Sequence, residues 1–252
     1  MPFTLSHVAA VLPGLRRARR EGPWVAAGLV AGAMAPDVPF FAESLVRGVY
    51  RHGGLTHRWW AAPTVDVVVG AGLVAGWYGV WRGPVGRAVP GAWVGVGPTG
   101  RPTGRELACA AGAVAVGAAT HLVWDSFTHH GRAGSRLLPV LEHEVRGVPL
   151  TTVLQYGTSL LGLAAPARHA GPWRDADRRT GAVLAGAALL GAAHRVRRGE
   201  RGSVDEVCFG AGAGLAVAAA VLGTAGRVGS RTAGGGRARA VGGRRGGRSQ
   251  PR

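Results

Sequence analysis

Residues 107–129 read L-A-C-A-A-G-A-V-A-V-G-A-A-T-H-L-V-W-D-S-F-T-H. The stretch from 107 to 124 is almost wholly apolar, close to the roughly 20 residues that cross a bilayer as a helix. Its end carries His121, Asp125 and His129 at i, i+4 and i+8, which is one face of a helix. Imidazole nitrogen and carboxylate oxygen in that pattern suit a divalent metal such as Zn²⁺, Mn²⁺ or Fe²⁺. The bland alternative is an i,i+4 polar pair on a helix surface, which needs no metal.

Working outward, apolar runs of similar length recur at 61–81, 148–166 and 206–226. Residues 24–41 form a shorter run ending in A-P-D-V-P-F-F, and 180–194 is marginal. The segment 3–15 is too short for a full crossing and fits a half-span or an interfacial helix. The runs predict an all-α integral membrane bundle of about five to six spans. It forms one domain over 1–226, with its motifs in 1–166. A soluble Ala-rich helical protein is the alternative. Most of the eight tryptophans fall at run ends, where interfacial belts place them. The abundant glycines inside the runs allow close helix approach.

All 30 basic residues are Arg, and the net charge is +17. Residues 227–252 hold eight Arg and no acid among Gly, Ala and Ser, so a disordered tail is expected there. Such a tail suits acidic lipid headgroups or nucleic acid, and its simplest role is a solvated cytoplasmic extension. Cys109 and Cys208 lie in apolar runs and read as small core residues. The loop 82–106 is Gly/Pro-rich and expected to be irregular. No cleavable signal peptide is expected, because the Arg cluster follows the first apolar stretch instead of preceding it.

If successive runs alternate direction, six polar residues meet at one end of the bundle. His7 starts the first segment, and Asp37 ends the second, between Pro36 and Pro39. His57 precedes the third, and His121, Asp125 and His129 close the fourth. Loops at the opposite end plus the tail carry 20 Arg against 10 at this end. The positive-inside rule then puts the cluster at the extracytoplasmic face of the cell's inner (plasma) membrane and the tail in the cytoplasm. Asp66, one to two turns below His57, is a candidate for orienting a histidine or accepting a proton. Glu142 is a loop carboxylate with the same possible use as a base. Each also has a structural reading, as a partner for a buried polar group and as ordinary loop charge.

Several motifs together carry a family resemblance. The opening M-P-F-T-L-S-H-V-A-A-V-L-P, then G-A-M-A-P-D-V-P-F-F, L-T-H-R, H-L-V-W-D-S-F-T-H-H and P-L-T-T-V-L-Q-Y-G-T-S-L-L-G resemble a bacterial family of multi-span membrane proteins. That family is catalogued as a domain of unknown function. It is similar to inner-membrane proteins classed as metal-dependent hydrolases. More distantly, both look like the zinc-dependent phospholipase C and P1 nuclease superfamily, which implies a helical core of that kind. By order and position the resemblance assigns Asp37, His57, His121, Asp125 and His129 as metal ligands, with His7 as an amino-terminal ligand. Those enzymes carry a further His-x-x-x-Glu on the next helix, whereas residues 148–166 contain neither His nor Glu. One or two metals, rather than three, are therefore expected.

The expected function is a membrane-bound metal-dependent hydrolase acting on phosphoester bonds of lipid or lipid-linked substrates. Two alternatives use the same residues: a metal-handling or transport protein, and a structural protein whose His/Asp network ties helices together.

Overall fold

A computed structural model of the protein describes residues 3–89, 97–98, 100–168, 177–198 and 204–242. The described chain is mostly helical. A 3-10 turn, Thr4–His7, leads into α1 (Val8–Glu21), and α2 covers Pro23–Met34. A second 3-10 turn, Ala35–Asp37, joins α2 to the short α3 (Val38–Ala42). Helix α4 is Gly53–Thr56 and α5 is Val65–Gly76. A π-helical turn, Trp77–Trp81, continues α5 into α6 (Arg82–Ala88). Then come α7 (Gly104–Thr128), α8 (Ala133–Leu137), a two-residue-per-strand hairpin β1–β2 (Glu144–Val145, Val148–Pro149), α9 (Leu150–Arg168), α10 (Arg178–Arg198) and α11 (Val204–Gly242).

Three helical stretches among the described residues are long and apolar enough to cross a membrane: Pro23–Ala42, Gly104–Thr128 and Val204–Val228. They mark a membrane protein. Large apolar side chains face outward from the helices, including Val116, Leu161, Leu190 and Val221, while the interior holds buried His and Asp side chains beside apolar clusters such as Val11, Leu29 and Ala33. In water that inversion would be a liability. In a bilayer it puts apolar atoms against lipid and polar atoms against each other.

Several boundaries differ from the sequence reading. The run 61–81 is not one uninterrupted α-helix. Pro63 sits where a helix would need an N–H, α5 starts only at Val65, and the π turn follows it. The Arg-bearing stretch 16–21 is not a loop but the last turns of α1, stopped by Gly22 at φ 127°. Arg195, Arg197 and Arg198 likewise belong to the last turn of α10, not to a loop. The loop 82–106 begins with helix α6, and residues 90–96 and 99 lie outside the described residues. Helix α11 continues to Gly242, over the first part of the Arg/Gly-rich tail; residues 243–252 lie outside the described residues.

Helices α2 and α7 pack with backbones in close approach. A Cβ on Gly32 would lie 2.1 Å from the Val114 carbonyl oxygen, and one on Gly117 would lie 2.3 Å from that of Leu29. The hairpin α10–α11 uses the same device, with Gly191 and Gly210 each meeting the other's carbonyl. These are small-residue crossings of the kind that let membrane helices associate. Helix α7 starts with a capping box: Thr103 Oγ1 accepts from the Glu106 N–H (3.2 Å) and the Glu106 carboxylate accepts from the Thr103 N–H (2.8 Å). Thr103→Ala is expected to cost about 1 kcal/mol. Thermal unfolding of the variant in detergent checks it, and an unchanged midpoint would refute the cap's contribution.

Candidate metal centre

His121 and Asp125 project from the last turns of α7 into the bundle, and both are buried. His121 Nδ1 sits 2.8 Å from the Ala33 carbonyl, which only accepts, so Nδ1 carries the proton and Nε2 holds a lone pair. The close α2–α7 crossing makes that bond possible, because it brings Ala33 at the end of α2 against α7.

Asp37 closes the turn after α2, where Pro36 and Pro39 restrict the backbone on either side. Its Oδ2 accepts a 2.5 Å hydrogen bond from Thr4 Oγ1. Its Oδ1 lies 3.3 Å from His57 Nε2 and 3.5 Å from His121 Nε2. Two hydroxyl residues, Thr4 and Ser6, precede His7. No side-chain cap forms; Thr4 instead orients Asp37, and Ser6 bonds the Phe3 carbonyl.

His57 follows α4. Its Nδ1 lies 2.7 Å from the Gly53 carbonyl, which again directs Nε2 toward the carboxylates. Gly53 is required there, since a Cβ would sit 1.9 Å from the Phe40 ring. Burial opposes charge on His57, but the adjacent Asp125 and Asp37 carboxylates outweigh it and raise its pKa above the ordinary imidazole value.

Asp125 is the hub. Its Oδ2 lies 3.4 Å from His57 Nε2 and 3.5 Å from His121 Nε2, and its Oδ1 lies 3.6 Å from His7 Nε2. The His7 ring is fully buried and stacks on His121, with centroids 3.9 Å apart, while Trp124 covers it at 5.4 Å. Among the described residues neither ring nitrogen of His7, neither carboxylate oxygen of Asp125, nor His121 Nε2 nor Asp37 Oδ1 has a hydrogen-bond partner. Polar atoms so deeply buried are costly unless something binds them.

His129 stands at the rim as the residue ending α7. Its Nδ1 is 3.9 Å from Asp125 Oδ1, and its Nε2 is 3.5 Å from Gln155 Nε2. Burial lowers its pKa. Asp66 is fully buried on α5, with both oxygens lacking a hydrogen-bond partner among the described residues. Glu142 is turned elsewhere: it contacts His130 Nδ1 and accepts the Gly131 N–H at 3.0 Å.

Two overlapping triads, His7–His121–Asp125 and Asp37–His57–His121, can each hold a metal ion. The fold thus gathers His7, Asp37, His57, His121 and Asp125 into one buried cluster from four separate segments, with His129 at its edge. Thr4 and the Ala33 and Gly53 carbonyls complete it. Sequence reasoning missed Thr4 and the two carbonyls, since only the fold brings them to the histidines and Asp37.

Neither a curated protein nor a solved structure matches the chain. A family model described as Domain of unknown function (DUF4184) matches residues 1–224, from ahead of His7 into α11, and the chain belongs to that family.

Proposed function

We propose that the protein is a membrane-bound hydrolase dependent on a divalent metal, zinc in the first instance, acting on phosphoester bonds of lipid or lipid-linked substrates. One observation carries the metal reading. The contacts of His57 Nε2 and His121 Nε2 with Asp37 Oδ1 and Asp125 Oδ2 measure 3.3, 3.4, 3.5 and 3.5 Å. Neighbouring donors on one tetrahedral ion with bonds of about 2.0–2.1 Å lie about 3.3–3.4 Å apart. Both imidazoles already direct a lone pair inward through their carbonyl bonds, as metal-ligating histidines do. Mn²⁺ and Fe²⁺ accept the same donors.

Asp37, His57 and His121 would hold one ion, and His7 and Asp125, with His121 in reach and His129 at the rim, would hold another. A bound divalent ion supplies Lewis acidity and lowers the pKa of a water to near neutrality. Asp66 and Glu142 remain the candidate proton acceptors, Asp66 being the one that lies in the interior. The gathering of polar groups at one end of the bundle, instead of along its depth, favours a reaction site over an ion path. The outward-facing apolar helices favour a lipid substrate, because bilayer lipid would surround the bundle that carries the cluster.

In the same reading, α5 with its π turn, α9 and α10 join the three long apolar helices to make five to six spans. The cluster then faces the extracytoplasmic side, and the Arg-rich tail contacts acidic lipid in the cytoplasm. The phospholipase C and P1 nuclease-like core rests on the order of the ligands alone.

The test is hydrolysis of phosphodiester and phospholipid substrates by detergent-purified protein. Turnover that disappears on chelation and returns with zinc is the expected result. Stoichiometric metal without turnover would favour metal handling, and absence of metal in carefully handled protein would sink both.

A further inference from the structure

Arg195 is the anomaly outside the cluster. It lies in the last turn of α10, yet only 5% of it is exposed. A buried guanidinium is tolerated only when its donors are satisfied. Here Nε and Nη2 grip the Glu206 carboxylate of α11 in a fork. Nη1 donates to the Phe40 carbonyl (3.1 Å) and to Ser44 Oγ (3.2 Å), and the guanidinium lies 5.8 Å from the Tyr50 ring centroid. Arg198 adds a 3.3 Å bond to the Ser44 carbonyl.

These acceptors cluster at the carboxyl end of α3. A five-residue helix cannot hold itself together, and its last carbonyls need partners. Cations at that end also answer the helix dipole. What α3 positions is the metal cluster. Asp37 immediately precedes it. The Phe40 ring, from its middle, occupies the space over Gly53 and packs 5.5 Å from the His57 ring. Gly53 in turn supplies the carbonyl that orients His57. Phe209 of α11 closes the far side, 5.4 Å from Phe40 and 5.1 Å from Phe41.

We infer that Arg195 is a positioning residue for the Asp37–His57 half of the cluster, acting through α3, so the α10–α11 hairpin is a working part of the site. This rests on the metal reading for its role, but its geometry is testable without metal. Full-length Arg195→Met and Arg195→Lys proteins are purified in detergent and checked for helical content. Carbethoxylation of His57 by diethylpyrocarbonate is followed by mass spectrometry, with exposed His130 as internal reference. Zinc affinity is measured by chelator competition.

The Met variant should label several-fold faster at His57 relative to His130. It should also bind zinc about ten-fold more weakly, as loss of a ligand's supporting contact does. Lys should restore part of both. A folded Arg195→Met protein with wild-type labelling and wild-type zinc affinity overturns the inference. Should that variant fail to fold, Phe40→Ala leaves the Phe40 carbonyl that Arg195 binds and removes the ring against His57, together with its contacts to Tyr50 and Phe209. It should give the same rise in labelling, and an unchanged rate overturns the inference equally. A wild-type protein that takes up no zinc defeats the metal reading, while the labelling arm still decides Arg195.

Discussion

Asp125→Ala protein is expected to emerge from purification without its metal, with zinc affinity at least about 100-fold below wild type. The size follows from position: outer contacts of a metal site are worth about 10–100-fold in affinity, and a direct ligand is worth more. Asp125 also touches both halves of the cluster, with Oδ2 facing His57 and His121 and Oδ1 facing His7. Asp125→Asn should be nearly as damaging, because it keeps the shape but removes the charge that balances a divalent ion. Glu142→Gln is the matched control. Its carboxylate is engaged with His130 and the Gly131 N–H, so metal content should stay at the wild-type level. Elemental analysis of the three variants beside wild type reads the result. Equal metal in Asp125→Ala and wild type would remove the cluster from consideration as a metal site.

Gly32→Val is expected to be the most damaging single change outside the cluster. Its new Cβ would lie 2.1 Å from the Val114 carbonyl oxygen and 2.8 Å from the Val114 Cα. Those are backbone atoms and cannot rotate away, so α2 and α7 must move apart along their whole crossing. The cost belongs at the upper end of overpacking penalties, about 3 kcal/mol. The damage should reach the site as well, since α2 supplies the Ala33 carbonyl to His121 and leads directly to Asp37. Gly112→Ala on α7 is the contrast. Nothing lies within 4 Å of its Cβ, and alanine is the better helix former, so it should be neutral or slightly stabilising, by about 0.5–1 kcal/mol. Thermal unfolding and zinc content measured side by side would decide. A Gly32→Val protein as stable as Gly112→Ala would contradict the close crossing.

Reading the apolar runs as alternating in direction was enough to expect His7, Asp37, His57, His121 and Asp125 together, and they meet in one buried cluster. Polar residues at the ends of apolar segments are visible in composition, and strict alternation does the rest. The membrane character was legible for the same reason. What composition could not resolve was continuity. The run 61–81 looks like one span because Pro63 and the π turn at Trp77–Trp81 hardly change its hydropathy. Helix α1 was cut short at residue 15 because Arg16 to Arg20 look like a loop, although Arg is a good helix former. Arg195 was missed by the same rule. A charge at the end of an apolar run is usually solvated, and nothing local reveals that Phe40, Ser44 and Glu206 wait for it across the bundle.

The stacking of His7 on His121 has a consequence for how the protein is made. The amino-terminal turn leaves the ribosome long before α7, so His7 must wait for His121 and Asp125, and Asp37, with only Thr4 and His57 made before then, must wait for His121. Two carboxylates without counter-charge resist burial at a membrane boundary until cations reach them. Closure of the site is therefore a late event in biogenesis. On the proposed metal reading, capture of an ion is the step expected to draw the early and late segments together, and zinc supplied during expression should then raise the yield of mature protein.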